Sequence, residues 1–468
     1  MKLTRLLSIL VIVLILVVYA QEASFGQDVK VNKKVYMIIV NKLSLSDIEK
    51  MPNLKDLIGE GSLGLLNVRG LNGYNGAECF ITINASNKAY ASNISSQFYN
   101  LDGEYRETYE NRVDSLIGEY QIGNIEIGRI YNQNEDNKYA PYIGALGDSL
   151  HNGGLKTAIF GNSDTDEEII RYASLIPMDS KGLVDYGNVD NVLISDNIYP
   201  YGLKTDYDKI LDEVKKVRSK ASLIVIDTGD LTRLYSYSNS LSDSVFIEKR
   251  EMILKDIDNF VGNLVDEIDK ERSLLIIISP NSSDERIDES KLSPIVLWGK
   301  DVNKGIITSS TTNRKGIVAN LDIGPTITDF LNITMIKKSG NVIDWLDEDN
   351  AYDFVVNMNS RINITSKVRS KTLTTYGIFS VIVMLLVLIT LSLKIKIDNR
   401  IGSILEILLI NLYSLPLVFL LVSLLNINNM LKFLFGLVIF ISLFIVISVK
   451  CNRKKLLHLI TFFYFIKF

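Results

Sequence analysis

The chain has 468 residues but only two cysteines, two histidines and eight prolines. Cys79 and Cys451 lie on either side of a strongly apolar region, so they cannot plausibly pair, and no disulfide framework or thiolate metal site is available. His458 belongs to the apolar C-terminal tail, which leaves His151 as the one histidine of the polar part. A site built on several imidazoles is therefore excluded. Basic excess is also lacking: 50 Lys and Arg stand against 54 Asp and Glu, which argues against a nucleic-acid partner held by a basic face.

Long apolar runs are present at both ends. Lys2 and Arg5 precede an uncharged stretch from Leu6 to Val18, followed by Val18-Tyr19-Ala20, so residues 1–20 read as a signal peptide or an uncleaved N-terminal anchor. Near the other end, Thr374–Leu393, Ile407–Leu425 and Phe433–Val449 approach or reach the ~20 residues a membrane helix needs. Residues 374–468 thus read as about three transmembrane helices plus a short apolar stub, Leu456–Phe468. Lys394, Lys396 and Arg400 follow the first span, and Lys450, Arg453, Lys454 and Lys455 follow the third. This bias predicts a multi-pass cell-membrane protein with its large domain extracytoplasmic. Lys367, Arg369 and Lys371 lie on the outer side in that arrangement, where basic residues attached to a long exported domain carry less weight.

Residues 28–364 alternate strand and helix patterns. Val35–Val40, Leu63–Val68, Thr157–Phe160, Leu223–Ile226, Leu274–Ile278 and Ile295–Trp298 are short apolar runs suited to strands buried on both faces. Asp47–Gly59, Tyr207–Arg218 and Phe246–Ile268 have helical spacing. The expected class is α/β, a mostly parallel sheet sandwiched by helices, with a polar insertion at Ser95–Tyr139. Ligands in such sheets bind beyond the carboxyl ends of the strands. That places Asn41, Asp227, Asp230 and Ser279 near one rim.

Three segments in order resemble the alkaline phosphatase/sulfatase superfamily. They are Val35–Asn41 with Met51-Pro-Asn-Leu-Lys-Asp-Leu-Ile-Gly-Glu-Gly61, then Leu274-Leu-Ile-Ile-Ile-Ser279, then Gly316–Leu331 with its Asp322-Ile-Gly-Pro-Thr326 turn. The segments Thr82–Ala89, Ile226–Arg233 and Ser309–Val318 are similar to those of uncharacterised membrane-bound members from low-GC Gram-positive bacteria. The resemblance implies an alkaline phosphatase-like fold and a two-metal centre with carboxylate and histidine ligands. It also implies a hydroxyl or formylglycine nucleophile. Asn41 stands where the resemblance implies an aspartate, and Ser279-Pro-Asn-Ser282 stands where it implies Ser-Asp-His-Gly. Leu71–Glu78, the implied nucleophile segment, offers only the Tyr74 phenol.

The usual two-metal set is therefore absent from the sequence. Asp227 and Asp230 remain as a carboxylate pair for one Mg²⁺, Mn²⁺ or Ca²⁺, or as a strand-end turn in which Asp230 caps a helix. Arg233, Arg314 and Lys42 are candidates for an anion pocket; His151 is a ligand or a helix-end residue. Three functions are weighed. The first is a catalytically degenerate module binding an envelope polymer, a lipid-linked phosphate compound or a partner protein. The second is an active phospho- or sulfo-hydrolase, or a phosphoalcohol transferase, with a rearranged site drawn from Asn41, Thr82, Asp227 and Asp230. The third is a polytopic component acting through Glu406 and Asn411 in its helices.

Overall fold

A computed structural model describes residues 33–113, 117–283, 286–288, 290–393, 398–424, 430–450 and 460–461. The N-terminal run, and all but two residues of the C-terminal stub, lie outside them. The chain divides into one compact unit ending at Tyr352 and a second beginning at Asp353.

The first unit is built on a 10-stranded sheet. Its strands are β1 (Lys34–Ile39), β2 (Ser62–Asn67), β3 (Thr157–Phe160), β4 (Tyr186–Asn188), β5 (Leu223–Asp227), β6 (Ser273–Ile278), β7 (Leu292–Gly299), β8 (Gly305–Thr308), β9 (Ile317–Ala319) and β10 (Asp344–Asp347). The order is β10-β8-β2-β7-β6-β1-β5-β3-β4, with β9 also on β2. β1 lies parallel to both β5 and β6, and β3 continues the parallel set. Only β7 against its two neighbours, and β10 against β8, run antiparallel.

Alternation on β1 feeds both faces, as period-two geometry requires. Val35, Met37 and Ile39 share a buried cluster with Phe80, Ile83, Leu146, Leu150 and Ile327. These residues come from α1 (Ala77–Ala85), α2 (Ala145–Asn152) and α3 (Ile323–Phe330). Tyr36 and Ile38 point the other way and are equally buried.

The expected helix over Asp47–Gly59 is two pieces, a 3₁₀ turn at Leu45–Lys50 and an α-helix at Pro52–Glu60. Pro52 cannot donate a backbone hydrogen bond, so it ends the first piece and opens the second at a position where no donor is needed. No side chain from Met51 caps the second piece. Asp258 does so from the helix Asp243–Asp266: its Oδ1 accepts from Leu54 N at 2.9 Å, and its Oδ2 from Asn53 N at 3.0 Å and Asn53 Nδ2 at 3.0 Å. Asp258→Ala is expected to lower stability by about 2 kcal/mol, the upper end for a lost helix cap, because buried donors are left unpaired. Chemical denaturation of the purified chain checks it, and an unchanged midpoint would show that the cap carries nothing.

The polar insertion forms a small sheet together with a later strand. Phe98–Asn100, Ile122–Asn124 and Leu183–Val184 make a three-stranded antiparallel sheet over a small core of Leu101, Tyr109, Ile117 and Leu183.

The second unit contains the helix Ala351–Ser392 apart from its first two residues, together with the helices Asn399–Leu424 and Met430–Lys450. By length and composition all three can cross a membrane. The first has 42 residues, about 63 Å at 1.5 Å per residue, so roughly half of it fits a ~30 Å hydrocarbon layer. Asn411 Nδ2 donates to Ser448 Oγ at 3.3 Å, tying the second helix to the third.

Candidate functional site

At the carboxyl end of β1 the chain turns through Asn41 and Lys42, and at the end of β6 it turns through Ser279, Asn281 and Ser282. Because β1 and β6 are adjacent and parallel, both turns reach the same rim. Asn41 is buried; its Oδ1 accepts from Asn281 N at 3.2 Å and its Nδ2 donates to Thr232 Oγ1 at 3.1 Å. Lys42 is buried too, in a left-handed conformation with φ +66° that a non-glycine residue adopts only when its surroundings enforce it. Its ammonium donates to Asn75 Oδ1 at 2.5 Å and to the Ser282 carbonyl at 3.2 Å, and lies 4.1 Å from the centre of the Tyr235 ring. Asn75 stands immediately before α1, and Ser282 N donates to the Tyr74 carbonyl at 3.0 Å, which closes the group.

The other sequence candidates sit differently. Thr82 is fully buried inside α1, and its hydroxyl exchanges 3.4 Å contacts with the Ala89 backbone. Asp230 and Arg233 are both fully buried and pair at 2.6 Å at the start of the helix Asp230–Tyr237. Asp230 also accepts from Tyr207 OH at 2.7 Å and Thr205 N at 3.1 Å, while Arg233 Nη1 donates to the carbonyls of Asn162 and Asp164. Asp227 accepts from Ser163 Oγ at 3.0 Å and Gly229 N at 3.1 Å. Burial pushes its carboxyl up to about 6, against the Ser163 hydrogen bond and the Arg233 charge. Arg314 is exposed on the loop between β8 and β9, whose Ser309 and Thr311 bind the buried Asp322 carboxylate. The structure thus gathers Asn41 and Lys42 with each other, and Asp230 with Arg233. Among the described residues, Thr82 and Arg314 make no hydrogen bond to either group.

The polar groups joined at the ends of β1 and β6 are a poor match for a pair of divalent cations by themselves. Among the described residues they are the amides of Asn41, Asn75 and Asn281, the hydroxyls of Thr232 and Ser282, and one ammonium; nearby carboxylates in the fold are Asp227, which ends the neighbouring parallel strand β5, and Glu78 in the first turn of α1. Neutral oxygens bind such ions more weakly than carboxylates, and an ammonium repels them. Cys79, in the first turn of α1, is no thiolate donor either, since burial pushes its thiol up to about 12.

His151 belongs to another cluster. Its Nε2 lies 2.8 Å from Asp185 Oδ2 and its Nδ1 3.6 Å from Asp179 Oδ2. Donor atoms of Asp148, His151 and Asp179 all lie within 4.8 Å of one another. Burial opposes charge on His151, but the Asp185 hydrogen bond and the charges of Asp185, Asp179 and Asp148 outweigh it and raise its pKa. Burial lifts Asp179 to about 6, offset in part by the Leu183 N–H and His151.

Both shifts have the same consequence for folding. A raised histidine stabilises fully below its unfolded pKa and loses that contribution as pH rises through the folded value. A raised carboxyl likewise favours the fold at low pH, and the advantage disappears between about 4 and about 6. The large unit is therefore expected to melt at lower temperature at pH 8 than at pH 5.5. His151→Gln should remove the histidine's own part of the profile above pH 6 and, by taking its charge away from Asp179, move that carboxyl's part to higher pH, while the part that Asp227 governs stays. Melting curves across that range check it, and a profile rising toward pH 8 would contradict both assignments.

Asn75, Asn281 and Tyr235 were not singled out from sequence. Asn75-Gly76 ahead of a helical run was the available signal, but it also reads as an ordinary turn.

No family model matches this sequence and no curated protein matches it. Solved structures do. One is a protein of the alkaline phosphatase superfamily from Vibrio parahaemolyticus, with 12% identity, TM-score 0.40, and 67% of each chain covered. Another is the lipoteichoic acid synthase LtaP from Listeria monocytogenes, with 14% identity, TM-score 0.39, covering 66% of this chain and 74% of that one. A third is the phosphonate monoester hydrolase SpPMH from Silicibacter pomeroyi, with 9% identity, TM-score 0.38, covering 66% and 75%.

Proposed function

We propose that this chain is a membrane-anchored module of alkaline phosphatase-like fold whose large unit lies outside the cytoplasmic membrane. In this reading it binds a phosphate- or sulfate-bearing envelope compound and does not hydrolyse it. The observation that carries the reading is the rim at the ends of β1 and β6, where amides, hydroxyls and the Lys42 ammonium form the polar group. The signal-like N-terminal run and the basic residues after the apolar helices support export and orientation.

Turnover of phosphate and sulfate esters by the full-length chain in detergent, with added Mg²⁺ or Mn²⁺ and alongside metal analysis, is the test. No turnover and no stoichiometric metal are expected. Metal-dependent turnover abolished by Asp227→Asn would favour the rearranged-site hydrolase or transferase instead. Protease added to intact cells is expected to cut the large unit; complete protection would remove the extracytoplasmic placement.

A further inference from the structure

We propose that Asp148, His151 and Asp179 ligate one divalent transition-metal ion, Zn²⁺ by preference, which ties α2 to the segment leading into the Leu183–Val184 strand. The site is separate from the rim. Its supports, Thr157 and Asp185, stand at the amino ends of the parallel strands β3 and β4. The turns of β1 and β6 meet at the opposite edge of the same sheet.

Asp148 and His151 are three residues apart on α2, so both project from one face of that helix. Asp179 reaches them from a turn that is itself held by the two acids. Ser180 N donates to Asp148 Oδ1 at 3.1 Å, and Lys181 N and Leu183 N each donate to Asp179 Oδ1 at 2.9 Å. Tyr142 OH fixes the other oxygen of Asp148 at 2.7 Å. The three donor atoms, within 4.8 Å of one another, are thus positioned by groups outside the trio.

Two observations separate this trio from an ordinary charged cluster. The first is the imidazole. Asp185 Oδ2 lies 2.8 Å from His151 Nε2 and is anchored by Thr157 N at 2.9 Å. A carboxylate only accepts, so Nε2 carries the hydrogen, and the neutral ring turns the lone pair of Nδ1 toward Asp179. A carboxylate behind one ring nitrogen, with the other nitrogen left to ligate, is how metal-binding histidines are oriented and made more basic.

The second is the free oxygen of Asp179. This residue is 4% exposed, yet among the described residues its Oδ2 accepts no hydrogen bond, since both N–H groups go to Oδ1. It is aimed at His151 Nδ1 across 3.6 Å. That gap is too long for a hydrogen bond and close to the ~3.4 Å edge of a tetrahedron whose ligands stand about 2.1 Å from the ion. An ion between the two atoms satisfies both, whereas a proton on Nδ1 does not bridge the gap. A cavity of about 290 Å³ borders His151 and Asp185 and gives solvent a way to the ring. Two carboxylates and an imidazole leave one tetrahedral position for water, and an imidazole ligand favours Zn²⁺ over Mg²⁺ and Mn²⁺.

The experiment titrates Zn²⁺ into the full-length chain in detergent, prepared in EDTA and then freed of it. Zinc content and melting temperature are followed, and Co²⁺ in place of Zn²⁺ reports the ligand geometry by its visible absorption. One ion per chain is expected, with the melting temperature raised by about 5 °C or more at a hundredfold excess over Kd. The pH dependence stated for His151 is that of the metal-free chain. His151→Gln should abolish stoichiometric binding. Asp148→Asn guards against a folding artefact: it is isosteric, can keep both hydrogen bonds, and should lose the ion with the metal-free melting temperature kept. Asp185→Asn, which removes the support and no ligand, should weaken binding about 10–100-fold. His458 is the only other histidine, and His458→Gln should leave binding unchanged. Absence of stoichiometric Zn²⁺ and Co²⁺ overturns the inference. Binding that survives both His151→Gln and Asp148→Asn also overturns it and marks an adventitious ion only. Neither outcome touches ligand binding at the rim.

Discussion

Arg233→Met is expected to lower the melting temperature of the large unit by on the order of 10 °C. Arg233 and Asp230 are each 0% exposed, and their 2.6 Å contact is the only ion pair either makes among the described residues. Removing the cation leaves a carboxylate with only Thr205 and Tyr207 as donors, far from bulk water, and orphans the carbonyls of Asn162 and Asp164. Breaking one side of a buried pair typically costs about 3–5 kcal/mol, and a domain of this size loses about 2–4 °C per kcal/mol. Asp230→Asn combined with Arg233→Met should recover much of the loss, since it removes the uncompensated charge. If the double variant is as unstable as the single one, packing and not charge burial is the cause.

The same pair shows where sequence reading reaches its limit. Arg233 and Asp230 both stand in a segment that the sequence marks as a strand end turning into a helix, and that much is plain from Leu223–Ile226 and the Asp-Thr-Gly-Asp run. Whether Arg233 faces solvent or Asp230 depends on Thr205, Tyr207 and Asn162, none of them local. The central strands were legible because a strand buried on both faces must be a short, continuous apolar run, as in β1, β5 and β6. β4 and β10 were not legible. Tyr186–Asn188 is half-buried and Asp344–Asp347 partly exposed, so neither carries an unbroken apolar signature.

The rim was legible in part for a related reason. Asn41 and Lys42 follow a visible strand, but Asn75 and Asn281 are neutral amides in turn-like contexts. Their partners are 207 and 240 residues away along the chain. Side-chain amides carry no charge pattern or spacing that periodicity could reveal; they acquire meaning only when parallel strands bring their turns together.

Arg250→Met is the second variant expected to have a large effect, and it reads out both stability and the rim. Arg250 and Asp47 are buried and joined by two hydrogen bonds, Nε to Oδ1 at 3.0 Å and Nη2 to Oδ2 at 2.5 Å. Asp47 Oδ2 also accepts from Ser44 N at 2.7 Å and Ser44 Oγ at 2.8 Å, so the carboxylate stays anchored when the guanidinium goes. A loss of about 3–5 kcal/mol follows from the stranded charge. Lys50 and Glu251 join the same two helical segments at the surface, each about half exposed. That exposed pair is worth under about 1 kcal/mol, which makes Lys50→Ala the control. The two variants should separate further in ligand binding. Arg250→Met leaves the Lys42 carbonyl with the longer Ser283 hydroxyl contact among the described residues and loosens its left-handed backbone, so affinity for a phosphate ester such as glycerol phosphate should fall, whereas Lys50→Ala should leave it unchanged. Equal affinity in Arg250→Met and the unaltered chain, measured below the melting temperature of both, would mean that the ammonium needs no support from behind. The strained Lys42 backbone would then be a feature of folding alone.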